Sequence, residues 1–430
     1  MSDGRNQHRY HFVPGGAGPT IVGGDGVYLL TDDGRRILDA AGGAIVANIG
    51  YGRREVADAV HETMSAGGYV LPIWPTPARL RLRDLLVERW LPAGFEHVFF
   101  TSGGSESADS ALRLARAHQV AAGRPERWKV VGRHPSYHGL TLGSLAAGSH
   151  DSRRAGYDPL LLPFPKVPWD DASAVVEIIE REDPATIAAF IFEPISGAAG
   201  ACLTASDEYW RTVEDVCRAN DILLIADEVM TGFGRTGLTW GHEHLPLRPD
   251  VIYGGKGLGG GYVPMGMVAT TADVVEPLRR HGRFMFFTFT GTDPMCAGAA
   301  AVLEILESEG LVERCRTMGE VLGRRLDEVL GRHPNVAEVR GRALFRGVEL
   351  VADRASGTRF PPEIGFTAMV LRECLARDLW VYPAGSGPVQ DAVMLGCPFV
   401  ITEDQIETVV TTLAESITAA AEAARSPQPR

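Results

Sequence analysis

No apolar run in this 430-residue chain approaches the roughly 20 residues that a membrane-spanning helix needs. No basic cluster stands out either. Lys and Arg total 42 against 54 Asp and Glu, giving a net charge of -12 and a pI of about 5.5. That balance argues against nucleic acid and anionic membrane surfaces as partners. The polar start, Met1-Ser-Asp-Gly-Arg-Asn-Gln-His8, has no hydrophobic signal segment, so the expectation is a cytoplasmic protein. Cys202, Cys217, Cys296, Cys315, Cys374 and Cys397 are scattered, with no C-x-x-C pair. They read as buried small hydrophobes and not as a disulfide or zinc framework. The twelve histidines form no H-E-x-x-H, Gly241-His-Glu-His244 reads as a loop, and no metal is expected. Internal repeats and low-complexity blocks are lacking too.

What is present is an ordinary globular composition, 45% hydrophobic and 22% charged. The length exceeds what one core usually serves, so two domains are expected. Residues 1–20 are polar and glycine-rich and read as partly extended, and Ser426-Pro-Gln-Pro-Arg430 reads as a disordered tail. Val27–Leu30, the turn Asp32-Asp-Gly34 and Arg36–Asp39 read as a β-hairpin. Residues 54–66 and Ala78–Trp90 read as helices, separated by Pro72, Pro75 and Pro77. From residue 98 a repeated order appears: apolar strand, small-residue turn, helix. Val98–Thr101 runs into Ser102-Gly-Gly-Ser-Glu106. Val130-Val131 leads to Ser136-Tyr-His-Gly139, Ile187–Phe192 to Glu193-Pro194, Ile222–Ala226 to Asp227, and Val251–Tyr253 to Lys256. This alternation predicts an α/β fold with a mainly parallel sheet covered on both faces, its functional groups at the carboxyl ends of the strands. After about residue 331 the pattern becomes α+β, with strands near 336–339, 345–350 and 392–395 and helices at 363–378 and 403–424. The expected division is a large domain over 60–330 and a smaller α+β domain from 1–59 and 331–430.

The strand-end residues carry the chemistry, each beside a plainer reading. Lys256 stands among six glycines and could be a solvated loop lysine. No Ser or Thr follows it, so the phosphate-loop pattern fails, and the glycines do not fit G-x-G-x-x-G. A lysine with thin backbone around it also suits a flat carbonyl cofactor carried on its amine. Asp227 is either a helix cap or salt-bridge partner, or the acid that keeps a pyridinium nitrogen protonated. Because strand neighbours face opposite sides, Asp227 and not Glu228 is the residue assigned to the site. Ser102–Glu106 is either an ordinary helix cap or a phosphate-binding helix start. Tyr137 is either core or a ring that stacks on a cofactor, with His138 as a supporting hydrogen bonder. Glu193 is either a strand-end acid in a turn or an orienting group.

Taken together, Phe100–Asp109, Ser136–Thr141, Phe192–Gly197, Asp227–Gly237, Lys256–Pro264 and Cys397–Thr402 resemble the motifs of the class III aminotransferases, which are fold type I enzymes dependent on pyridoxal 5'-phosphate (PLP). The resemblance spans about residues 25–425. It implies that Lys256 carries PLP as a Schiff base and that Asp227 pairs with the ring nitrogen. Val229 and Tyr137 would cover the two ring faces. Gly103, Gly104 and Ser105 would bind the phosphate, and Glu193 and His138 would support the cofactor. It also implies a homodimer in which a threonine crosses the interface to the phosphate. Thr288 in Phe286-Phe-Thr-Phe-Thr290 matches best, with Thr290 the other choice.

Two departures concern the substrate end. Ile45 stands where many relatives with ω-amine activity carry an aromatic. Val381-Tyr-Pro-Ala-Gly-Ser-Gly-Pro388 lacks the arginine that many use to hold a substrate carboxylate. Arg346 is the substitute suggested by sequence, and Ile45, Trp74 and Tyr262 are the pocket candidates. The implied reaction is ping-pong transamination from an amine or amino-acid donor to a keto-acid or aldehyde acceptor, with Lys256 as base and then acid. The alternatives are a PLP decarboxylase, racemase or aminomutase on the same fold, or a silent interaction protein, against which intact Lys256, Asp227 and Tyr137 argue.

Overall fold

Alternate residues of the central strands face opposite layers. The computed structural model describes residues 18–281 and 286–425. In it, Ile187–Phe192 and Leu223–Asp227 are buried at every position. Ala189, Ile191, Leu223, Ile225, Val251 and Tyr253 pack with Ala108, Ala111, Leu114 and Ala115 of the helix Gly104–Ala121. Their neighbours Phe190, Phe192, Leu224, Ala226 and Ile252 pack with Tyr209, Trp210, Val213 and Cys217 of the helix Asp207–Ala219. Burial on both faces is why these strands read as unbroken apolar runs.

The sheet has seven strands, in the order Phe95–Thr101, Gly266–Thr271, Val251–Gly254, Leu223–Asp227, Ile187–Phe192, Lys129–His134 and Lys166–Pro168. Gly266–Thr271 runs antiparallel to both neighbours, and all other pairs are parallel. The motif-bearing strands therefore end along one edge. The antiparallel strand was not foreseen from sequence.

Among the described residues there are two further sheets of four strands. One joins Ile21–Asp25, Tyr28–Thr31 and Arg36–Asp39 to Leu379–Trp380, with Leu38 opposite Leu379. The hairpin expected from the Asp32-Asp33-Gly34 turn is thus tied to the C-terminal part of the chain. The other sheet orders Val336–Arg342, Phe345–Leu350, Val389–Gly396 and Tyr382–Ser386. The C-terminal helices are Phe366–Ala376 and Glu403–Arg425. The helix expected over Ala78–Trp90 is α-helical for Pro77–Leu85 and closes in a π-helical turn, Leu86–Trp90. Expectations for residues 1–17 and the tail 426–430 lie outside the described residues. All six cysteines are buried and free. Among the described residues no helix is long and apolar enough to cross a membrane.

Candidate active site

The strand ends converge on a pocket with about 140 Å³ of water-accessible space, lined in part by Gly104, Ser105, Tyr137, His138, Glu193, Asp227, Val229 and Lys256. Strand parity sends Asp227 there. It continues the face of Leu223 and Ile225, whereas Glu228 turns the other way. Glu228 is fully buried and accepts hydrogen bonds from the Gly241 and His242 amides and from His242 Nδ1 at 2.7–2.8 Å. Its charge is consumed in holding the turn Gly241–His244.

Asp227 is 5% exposed. Its Oδ1 accepts the Val229 N–H at 3.0 Å, and its Oδ2 accepts His138 Nδ1–H at 2.7 Å. A carboxylate only accepts, so the proton of this contact belongs to the imidazole. His138 is thereby oriented by Asp227. Tyr253 Oη lies 3.1 Å from the same nitrogen. Burial, with Asp227 beside it, pushes the Tyr253 hydroxyl well above its ordinary pKa, so it stays protonated. Glu193 accepts the Tyr137 N–H on Oε1 and the Gly197 N–H on Oε2, both at 2.9 Å. Burial raises its pKa, and Asp227 adds to the shift against the opposing pull of His138. Behind it, Arg133 is buried and donates to the Glu193 carbonyl at 3.0 Å, which fixes the strand end.

Lys256 opens a single 3-10 turn, Lys256–Leu258, with φ of 42°. A left-handed conformation at a non-glycine residue costs on the order of 1–2 kcal/mol, so the surrounding fold must hold it there. Burial pushes the amine down to about 8. Asp227 opposes that shift, Arg153 adds to it, and Glu193 opposes it. An amine that is substantially neutral near pH 8 is a competent nucleophile and base.

The helix-start reading of Ser102–Glu106 is seen directly. Glu106 Oε2 accepts the Ser102 N–H at 3.0 Å and its hydroxyl at 2.8 Å, fastening the helix start. Gly104 and Ser105 border the pocket, and the amides of a first helical turn have no intrahelical acceptor. A Cβ on Gly104 would stand 2.9 Å from Val229 Cγ1, so glycine is what lets the helix approach the Asp227 strand. A Cβ on Gly103 would meet nothing within 4 Å, leaving open space before the helix. Ser105 Oγ accepts the Leu140 N–H at 3.1 Å and keeps its own proton to donate.

The substrate candidates fare unevenly. Ile45 is buried with φ of 62°, and it packs with Ile195 and Met230, which line the pocket. Trp74, Tyr262 and Arg346 are not among the pocket-lining residues. Trp74 is 60% exposed on another part of the surface. Tyr262 Oη donates to the Gly50 carbonyl at 2.9 Å and accepts the Arg53 N–H at 2.8 Å, joining two loops. Arg346 donates through all three guanidinium nitrogens to the carbonyls of Ala343, Gly341 and Gly319 at 2.9–3.0 Å. Its donors serve the backbone, so the structure gives no support to Arg346 as a carboxylate binder. Thr288 is exposed, whereas Thr290 is buried with its hydroxyl unpartnered among the described residues. Sequence reasoning missed Ile195, Met230 and Thr231. Each follows a strand-end acid by two to four residues, so the strand-end rule could have found them. It also missed Arg153, whose guanidinium lies over Tyr137.

The residues present fit a PLP group. They offer an amine of lowered basicity, a buried carboxylate hydrogen-bonded to His138, a half-buried tyrosine ring, and a glycine-built helix start with open space before it. Among the described residues, no His, Cys, Asp or Glu group could hold a metal ion.

Comparison with known proteins agrees. Residues 17–417 match the family described as class III aminotransferase. The chain is 34% identical to the hypotaurine/taurine–pyruvate aminotransferase of Paracoccus denitrificans over 83% of this chain and 82% of that one. It is 31% identical to the putrescine–pyruvate aminotransferase of Pseudomonas aeruginosa over 91% and 88%. The solved ω-transaminase of Pseudomonas jessenii in complex with PMP superposes with a TM-score of 0.88, at 28% identity, over 94% of this chain and 93% of that one. Fold type I architecture, motif order and family match converge, and the transamination reading prevails over decarboxylation, racemisation and aminomutation: the chain belongs to the class III aminotransferase family and transfers amino groups with pyridoxal phosphate as its cofactor.

Proposed function

We propose that Lys256 and Asp227 carry the transfer, that a small keto acid such as pyruvate is the acceptor, and that the donor is an amine or amino acid. The observation that carries this reading is the pairing of Lys256, its amine pushed down to about 8, with the buried, hydrogen-bonded Asp227 in one pocket. Asp227 would pair with the cofactor's ring nitrogen, kept in place by His138. Val229 and Tyr137 would cover the ring, Gly103, Gly104 and Ser105 would take the phosphate, and Glu193 would hold the Tyr137 backbone. When bound, PLP supplies an electron sink for the carbanion at the substrate carbon. Lys256 Nζ takes the proton from the donor's amine-bearing carbon and later returns one, acting as base and then acid. The apolar side of the pocket, Ile195 and Met230 backed by Ile45, excludes water from that exchange.

Pyruvate as acceptor is supported by the names of the Paracoccus and P. aeruginosa relatives. A homodimer, with Thr288 of each subunit completing the other's phosphate site, is supported by a surface patch beside Thr288. There Ile73, Trp74 and Phe289 are 60–62% exposed, and Tyr69 meets Phe289 edge-on. So many large exposed apolar groups in one region mark an interaction face. Six free cysteines favour a reducing, cytoplasmic setting. The large domain over 60–330 and the small one from 1–59 and 331–430 are part of the same reading, supported by the strand pairing of Leu38 with Leu379.

The test is a half-reaction. A panel of amine donors is mixed with the PLP-loaded enzyme and the cofactor spectrum is followed; pyruvate is then added. The expected result is loss of the cofactor band with at least one donor, then its recovery with formation of alanine. Donors that bleach the band without recovery on pyruvate would overturn the acceptor assignment. A monomer in light scattering would overturn the dimer.

A further inference from the structure

A cation with no role so far stands beside the pocket, behind its lining residue Tyr137 and not itself part of the lining. Arg153 lies on the short helical turn Asp151–Arg154, and its guanidinium carbon is 4.1 Å from the centroid of the Tyr137 ring that lines the pocket. The side chain is half-buried, and among the described residues no carboxylate lies within ion-pair distance of it. Other arginines are committed elsewhere. Arg154 pairs with Asp158 at 3.2 Å and donates to the Leu145 and Gly148 carbonyls. Arg133 is committed to the Glu193 carbonyl, and Arg346 to three carbonyls. Arg153 lies over the ring of Tyr137 and interacts with that residue's side chain, and a guanidinium has five N–H donors, so others remain for a planar anion.

Its position also matters. The Asp151 N–H donates to Ser386 Oγ at 2.8 Å, which docks the Arg153 turn on the strand Tyr382–Ser386. That strand belongs to the Val381–Pro388 stretch, which has no arginine of its own. Tyr382 shares one apolar cluster with Tyr137, Ile45, Ile195 and Met230. The charge of Arg153 reaches Lys256, where it opposes protonation of the amine. A carboxylate entering this partly desolvated pocket needs a cation. We propose that Arg153 is the specificity residue that binds the carboxylate of the keto-acid acceptor and of the amino acid formed from it, in place of the arginine missing from 381–388. The inference rests on the keto-acid reading above for its substrate, though its binding test does not.

The test uses the PLP-loaded enzyme and two variants, Arg153→Gln and Arg153→Met; the second keeps the packed stem if the first fails to fold. Propionate, a carboxylate without a carbonyl, is titrated calorimetrically, and steady-state rates are measured with pyruvate and with propanal. Both variants are expected to weaken propionate binding and raise the pyruvate KM by roughly 10- to 100-fold, the range of a charge-assisted contact. Propanal kcat/KM should change by less than about 3-fold, since it brings no carboxylate. Unchanged propionate binding overturns the inference. Equal losses on pyruvate and propanal also overturn it, reducing Arg153 to a support for Tyr137. If the native enzyme accepts propanal but not pyruvate, the keto-acid reading fails, and the propionate titration alone decides the role of Arg153.

Discussion

At one end of the pocket Asp227, His138 and Tyr253 sit in a chain of contacts at 2.7–3.1 Å, and beside them Asp227 and Glu193 accept backbone amides at 2.9–3.0 Å. At the other end Ile45, Ile195, Met230 and Phe345 form an apolar wall with Arg153 at its margin. The first region is fixed by directional bonds that low dielectric strengthens, and any unpaired member would be costly. The second is fixed by shape and volume, which tolerate substitution within a narrow range. The contrast accounts for a family in which the cofactor chemistry is common and the substrates differ.

The largest effect should come from removing the residue on which the polar end depends. Lys256→Ala should lower turnover by about 10⁴-fold or more, because anchoring amine and proton carrier are lost together. Near-native turnover in that variant would break the comparison at its root. Asp227→Asn removes one charge-assisted contact while keeping shape. It should slow proton removal and weaken PLP retention by roughly 10- to 100-fold, the equivalent of about 1.5–3 kcal/mol. Unchanged PLP retention and rate would remove Asp227 from the cofactor end.

A pH test sharpens the same end. The amine attacks an aldehyde only when neutral, and a lowered pKa makes the neutral form dominant above that value. PLP uptake by the apoenzyme should therefore accelerate with pH and level off above about 8, well below the ordinary lysine value of 10.5. A rate still rising toward 10.5 would mean that burial does not tune Lys256. The smallest effect belongs to the apolar wall. Ile45→Val removes one methylene and should shift the relative kcat/KM of short and long donors by about 10-fold or less, leaving PLP affinity unchanged. A loss of PLP affinity would show that the two ends are not separable.

How far the sequence was legible follows the same division. Strand parity separated Asp227 from Glu228 because a two-residue period leaves no freedom once the strand is buried on both sides. Strand-end placement found Lys256, Glu193, Tyr137 and Gly104 for a related reason: a parallel sheet lines up its carboxyl ends. Trp74, Tyr262 and Arg346 were chosen by side-chain type, and type does not fix direction. Tyr262 and Arg346 use their polar atoms on nearby backbone, and Trp74 faces outward. Arg153 was missed because its meaning lies in a contact with Tyr137, made by a turn too short to leave a periodic signal. The strand Gly266–Thr271 was missed because its antiparallel direction is set by its neighbours and not by its own residues.

The chain contains only three lysines. Lys129 is paired with Glu182 at 3.0 Å, and Lys166 is partly buried and donates to the Ala146 carbonyl at 2.8 Å. Borohydride reduction of the PLP-loaded enzyme, followed by peptide mass spectrometry, therefore has three possible sites to distinguish. The phosphopyridoxyl mass is predicted on the peptide containing Lys256 and on no other. The same mass on Lys129 or Lys166, or on no lysine at all, would contradict the account.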